Sequence, residues 1–368
     1  MNVARVDVRR LEIPLTTPYR LAFGPVTRYD TIIVELTSGD GERGFGEATL
    51  LTGYTDETIG DSWTLARQVA ETLPACTDVA VRERLRTLGR RAPFTATAFR
   101  TALDMASAHP LLRPSRASRV PILGLLQGAD AASLRDAFER MREAGFRTVK
   151  VKIGFDVEED LRFVANVQAI VGGRAAIRVD ANQGYTAAQA AAFIRGLDPA
   201  GIELFEQPCA AGDWSAHREA VAAASTTGLP LMLDESIYDV ADIERAADEC
   251  ACAYVKVKLM KFVGLDGLVA AIERIRALGM RAVLGNGVAC DVSCWMEACV
   301  AARHIDNAGE MNGFLKARRM LLARPLVCER GDIVIEPGVP SLDPDALDTF
   351  TRERVTYDTE GARCPARS

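Results

Sequence analysis

Lys152, Asp180, Glu206, Asp234 and Lys258 follow one another at steps of 24 to 28 residues through the middle of a 368-residue chain. Three carboxylates between two amines suit proton abstraction beside a carboxylate group, which needs a divalent cation to hold charge and a base to take the proton. Each step is close to the length of one strand plus one helix, so each residue can end a successive parallel strand and face one barrel mouth. Asp180 lies in RVDANQGY, Glu206 in ELFEQP and Asp234 in LDES, each after an apolar run. Oxygen ligands at three separate strand ends suit Mg²⁺ or Mn²⁺ better than zinc. One such acid alone could equally cap the helix that follows its strand; three in consecutive units favour the cation.

Lys150 and Lys152 in TVKVKIG are two residues apart, so strand alternation points both into the barrel. A buried lysine must meet an acid or serve chemistry, and a nearby cation favours the neutral amine that a base requires. Lys256 and Lys258 in YVKVKLMK repeat the pattern nearly across the ring. A solvated edge strand is the usual reading of a lone KxK, but apolar neighbours and the repetition argue against it. A substrate between the two pairs meets an amine on each face. If one lysine removes the α-proton and the other returns one from the opposite side, the carbon inverts. If a leaving group sits on the β carbon, the second lysine can assist elimination.

The elements that position these residues begin with alternating strands at 3 to 13 and 31 to 37, and a third ending at Glu47 after the Ser38-Gly39-Asp40-Gly41 turn. Helical patterns follow after Asp56 and near 79 to 89 and 94 to 109. This predicts an α+β domain over residues 1–115, completed by 326–368. From Val120 short apolar runs alternate with amphipathic helices, giving seven strand-helix units within 116–325 and an irregular eighth around Ala308 to Leu315. That repetition predicts a parallel sheet closed into a barrel. The stretch 331–350 reads as a strand and turns that return to the first domain.

Composition excludes several classes. A net charge of −6 with scattered basic residues gives no reason to expect nucleic acid or an anionic membrane as partner. The N-terminus lacks a signal core and no stretch of about 18 apolar residues occurs, which predicts a cytoplasmic protein. The nine cysteines read as buried thiols, and Cys250 and Cys252 form CxC with no second pair to complete a zinc cage.

KVKIG, RVDANQGY, ELFEQP, LDES and VKLMK, in this order, resemble the enolase superfamily, specifically its muconate-lactonizing-enzyme-like subgroup within the mandelate racemase/muconate lactonizing enzyme family. The resemblance implies a (β/α)7β modified TIM barrel behind an N-terminal α+β capping domain. It implies that Asp180, Glu206 and Asp234 bind Mg²⁺ (or Mn²⁺), that Lys152 and Lys258 are opposed acid/bases, and that Lys150 tunes Lys152. Asn182 and Glu235 would belong to the surrounding polar shell. Capping loops at Tyr19 to Arg28 and Leu51 to Tyr54, with Phe23 and Tyr54, would cover the mouth. The racemases of the mandelate type use a histidine late in the barrel, and His109, His217 and His304 are not placed for that. Where many relatives carry a glutamate after strand seven, this chain offers Asp291.

Dipeptide epimerases of the subgroup hold the substrate ammonium with Asp-x-Asp on strand eight; here Glu310-Met311-Asn312 stands at a comparable distance. The expected function is a Mg²⁺-dependent racemase or epimerase of an amino-acid derivative acting through an enediolate. Dehydration of a hydroxylated amino acid such as a hydroxyproline, cycloisomerisation of a muconate, and a non-catalytic small-molecule-binding barrel are the alternatives. Relatives of this kind assemble into dimers or octamers, so a homo-oligomer is expected.

Overall fold

Alternation of apolar and polar residues builds the first layer of the computed structural model, which describes residues 1–21, 24–51 and 55–359. Strands β1 (Val3–Leu21), β2 (Gly24–Ser38) and β3 (Arg43–Leu50) form an antiparallel meander. One face carries Val6, Val8, Ile32, Val34 and Ala48, which bury against α1 (Ile59–Thr72), α2 (Asp78–Gly89) and α3 (Pro93–Ala106). Thr58 and Thr77 cap α1 and α2 by accepting from Asp61 N and Ala80 N, as threonines before a helix do.

After β4 (Ser118–Pro121) the period of the pattern changes and the barrel begins. Its strands are β5 (Gly124–Leu125), β6 (Thr148–Lys152), β7 (Ala176–Asp180), β8 (Ile202–Glu206), β9 (Leu231–Leu233), β10 (Tyr254–Val257) and β11 (Arg281–Leu284), parallel and adjacent in chain order. Helices α4 (Ala131–Glu143), α5 (Val157–Val171), α6 (Ala187–Gly196), α7 (Trp214–Thr227), α8 (Val240–Arg245), α9 (Leu265–Ala277) and α10 (Asp291–His304) follow β5 to β11 in turn. Residues 308–310 fill the eighth place without forming a regular strand. Gly309 N donates to Pro121 O, Leu123 N to Gly309 O and Glu310 N to Leu284 O, each at 2.9 Å.

Inside the ring Leu204, Met232, Tyr254 and Val283 form their own apolar cluster. Fully buried Arg178 donates to Glu203 at 2.9 and 3.1 Å and to Ala308 O at 2.8 Å. The interior is thus filled, and the chemistry is left to the strand ends.

The stretch after residue 326 divides rather than returning as one piece. Strands β12 (Val327–Glu329) and β13 (Asp332–Ile335) make a small sheet with β4. Only after α11 (Pro344–Phe350) does β14 (Thr351–Asp358) pair with β1 and rejoin the first sheet. Among the described residues no helix is long and apolar enough to cross a membrane.

Glu47 at the inner face of β3 joins the sheet to the barrel. Its buried carboxylate accepts from Cys290 N (2.7 Å), Ser293 N (2.8 Å) and Thr49 Oγ1 (2.7 Å), capping α10 from the other layer. Glu47→Ala would leave two buried amides unpaired and remove a cap, which amounts to about 2–4 kcal/mol. Urea unfolding should show that loss; a midpoint like that of the parent protein would deny Glu47 this role.

Candidate active site

Strands β6 and β10 stand four places apart in the ring of eight, so Lys152, the last residue of β6, and Lys258, directly after β10, lie on opposite sides of the mouth. The three acids occupy the strands between them. Asp180 and Glu206 end β7 and β8, and Asp234 follows β9. Lys152 is in register with Asp180, and Asp180 with Glu206, so these side chains emerge at one level.

Every carboxylate in the cluster meets an amine. Lys152 Nζ lies 2.7 Å from Asp180 Oδ2 and also donates to Asn182 Oδ1. Lys258 Nζ sits 2.6 and 2.9 Å from the two oxygens of Asp234. Two residues earlier on each strand, Lys150 reaches Asp180 (2.7 Å), Glu206 (2.8 Å) and Glu310 (3.1 Å). Lys256 reaches Glu206 (3.0 Å), Asp234 (3.4 Å) and Glu310. The deeper pair therefore bridges the three acids, while the upper pair stands at the rim with Lys152 partly open to solvent.

Burial pushes all the acids up, but the amines reverse this for some of them. Lys150, Lys152 and Lys256 bring Asp180 down to about 2, and Lys258, Lys256 and Lys261 hold Asp234 well below the usual range. Glu206 goes the other way, up to about 7, because the Asp180 carboxylate beside it adds to the effect of burial.

Among the described residues no three His, Cys, Asp or Glu side chains are spaced to hold a metal ion as they stand; Lys150 and Lys256 hold the oxygens together instead. The chemistry of the donors still fits a hard divalent cation. Asp180, Glu206 and Asp234 are buried on adjacent strands and share positive charge, without sulfur or imidazole among these three side chains. The raised Glu206 marks a carboxylate whose charge the amines leave incompletely stabilised.

The loops after the strands are fixed by residues that alternation alone does not reveal. Gln207, buried with φ of 37°, accepts from Asp234 N (2.8 Å) and donates to Ser236 Oγ (2.8 Å) and Cys209 O (2.9 Å). It thereby sets the backbone of its neighbour strand's acid. Asn182, with φ of 42°, donates through its side chain to Glu235 Oε1 at 3.0 Å and through its backbone to Asp180 Oδ1 at 2.8 Å. Gly184 lies so close to Gly154 that a Cβ there would sit 2.2 Å from Gly154 O, so these two loops can stack only without a side chain.

The candidate substrate-binding residues that the structure describes have partners within the protein. The buried carboxylate of Glu310 is shared by Lys150 and Lys256. Asn312 accepts from Lys316 Nζ (3.3 Å) and donates to Leu123 O (3.2 Å). Asp291 turns its oxygens to Leu321 N (2.8 and 3.0 Å) and Leu322 N (2.7 Å), a structural tie that occupies the carboxylate. The Tyr19 to Arg28 segment is largely strand, pairing Tyr19 with Val26 and Leu21 with Gly24. Phe23 and Tyr54 lie outside the described residues.

Lys261 and Lys316 were not singled out from sequence. Lys261 ends the turn after Lys258 and donates to Asp234 O (3.0 Å) and Ile237 O (2.7 Å). Its place three residues beyond Lys258 in an apolar run was the available signal.

Comparison with known proteins agrees with this architecture. Residues 4–126 match the family described as Mandelate racemase / muconate lactonizing enzyme, N-terminal domain, and residues 133–340 match Enolase C-terminal domain-like. L-Lys-D/L-Arg epimerase of Methylococcus capsulatus is 30% identical over 384 positions, covering 94% of this chain and 100% of that protein. The crystal structure of N-succinyl Arg/Lys racemase from Bacillus cereus superposes with a TM-score of 0.87 at 23% identity, covering 97% of this chain and 100% of that one. A dipeptide epimerase from Cytophaga hutchinsonii, complexed with Mg and D-Ala-L-Val, gives 0.86 at 20% identity, with 97% and 100% covered. The two structural likenesses speak to fold.

Proposed function

Because the chain belongs to the mandelate racemase/muconate lactonizing enzyme family of the enolase superfamily, we propose that it is a racemase or epimerase inverting the carbon beside the carboxylate of an amino-acid derivative. The observation that carries this is the opposition of Lys152 and Lys258 across a ring whose intervening strands present three carboxylates. Sequence relatives named as epimerases of dipeptides and racemases of N-succinyl amino acids support the substrate class.

In this reading Asp180, Glu206 and Asp234 hold Mg²⁺, which supplies electrostatic stabilisation of the charge that builds on the substrate carboxylate as its α-proton leaves. Lys152 takes or returns the proton on one face and Lys258 on the other. Asp180 and Asn182 aim Lys152, while Asp234 aims Lys258, so each amine is oriented before substrate arrives. Lys150 and Lys256 keep the acids together at a deeper level and away from the reacting carbon.

Proton NMR in D₂O with Mg²⁺ tests the proposal. Exchange of the α-proton accompanied by inversion is expected. Loss of water or ring closure without inversion would replace racemisation with elimination or cycloisomerisation.

A further inference from the structure

We propose that Glu297, in the middle of α10, is a positioning residue for Lys258. It holds the backbone from which that lysine projects, so proton transfer on the Lys258 face depends on it and transfer on the Lys152 face does not. This rests on the α-proton reading above and concerns how one of its two amines is aimed.

Strand β10 pairs with β11 only as far as Val257 and Leu284, and Gly285 N closes that ladder on Val257 O at 3.1 Å. On its other side the pairing with β9 ends at Val255. Lys258 therefore stands just past the sheet, where the ladder no longer fixes the chain. The next amide, Leu259 N, donates instead to Glu297 Oε1 at 2.9 Å, across 38 positions. That carboxylate is fully buried, and its second oxygen has no hydrogen-bond partner. A helix that needed only to fill this space would carry an apolar residue, because an unpaired buried oxygen costs stability. The acid is kept in spite of that cost, at the one place where it reaches the amide beside Lys258.

Burial pushes the Glu297 carboxyl up to about 7, against the pull of the Leu259 amide and the Lys258 ammonium. With or without its proton the carboxyl can offer an oxygen to Leu259 N, so the tie does not depend on the charge. From the other side, Thr97 Oγ1 on the capping helix α3 donates to Met260 O at 3.3 Å, and Lys261 N closes the turn on Lys258 O at 3.0 Å. The chain after Lys258 is thus gripped by α10 and α3 at successive residues, while Asp234 holds the ammonium itself.

Lys152 is held differently. Ile153 N donates to Asp180 O at 2.9 Å, a tie between neighbouring strands, and Gly154 N and Phe155 N donate to Asp160 Oδ2 on α5 at 3.0 and 2.9 Å. None of these ties reaches α10, so a change at Glu297 should move one amine and leave the other. A shift of about 1 Å in a reacting group can cost about 10²-fold in rate.

The test follows α-proton exchange in D₂O with Mg²⁺, starting separately from each epimer of the compound that wild type exchanges fastest among a panel of dipeptides and N-succinyl amino acids. The epimer whose exchange is lost in Lys258→Ala identifies the Lys258 face. Glu297→Leu should lower kcat at least about tenfold for that epimer, with KM and the other epimer's exchange little changed. Glu297→Gln, which keeps an oxygen for Leu259 N, should retain most of the exchange on both faces. Glu297→Asp, which draws the carboxylate back by one methylene, should show the same one-sided loss as the leucine variant and carries the test if that variant does not fold. Equal losses for both epimers would make Glu297 a purely structural residue and overturn the assignment. A glutamine variant as impaired as the leucine or aspartate one, or full exchange on the Lys258 face in Glu297→Asp, would overturn it as well, and in each case the α-proton reading stands. No exchange by wild type with any compound would instead remove that reading and this inference with it.

Discussion

Lys258→Ala and Lys152→Ala should each lose inversion, by about 10²–10⁴-fold in kcat/KM, the usual weight of a positioned acid or base. The loss should be one-sided at the level of proton exchange. With a single amine left, the epimer whose α-proton faces it should still wash deuterium in, and the other epimer should not. Each variant should spare the other epimer. The fold should survive, because the acids keep other partners: Asp234 retains Lys256 at 3.4 Å and Lys261 at 3.7 Å, and Asp180 retains Lys150 at 2.7 Å. Either variant inverting substrate at the parent rate would refute the two-base scheme. Mg²⁺ titration by calorimetry should give nearly the parent affinity in both, which separates loss of a base from loss of the cation.

Asp234→Asn should have the second largest effect, and it should appear without any substrate. The amide removes a charged oxygen from the proposed ligand set, so Mg²⁺ affinity should fall at least about tenfold, the lower end of what even an outer partner of a ligand contributes. The same change neutralises the carboxylate that buried Lys258 sits against at 2.6 and 2.9 Å, while Lys256 keeps Glu206 and Glu310. Breaking a buried pair from one side costs about 3–5 kcal/mol, and chemical unfolding should register it. The backbone position should persist, since Gln207 holds the amide nitrogen of residue 234 rather than its side chain. An unchanged Mg²⁺ affinity would take Asp234 out of the ligand set.

Sequence alone was enough to read the order of the site. Spacing placed one ionisable residue at each of five strand ends, and alternation within TVKVK and YVKVK put the deeper lysines on the inner face, because both follow from local chain geometry. It also marked the eighth place as irregular, from the lack of a periodic apolar run. Pairing at depth was beyond it. Glu310 meets Lys150 across 160 positions and Lys256 across 54, and Asp291 finds amides 30 and 31 positions away. These partners were chosen when the ring closed and when the capping sheet settled on it. The acid expected to greet a substrate ammonium was therefore claimed by the protein's own amines. Lys316, which carried no motif, was brought beside the mouth because the turn holding it was caught between Gly287 and β1. Local pattern determines which face of an element a residue occupies; which charge meets which is decided only by elements brought together from distant parts of the chain, since burial leaves few partners and each must be satisfied.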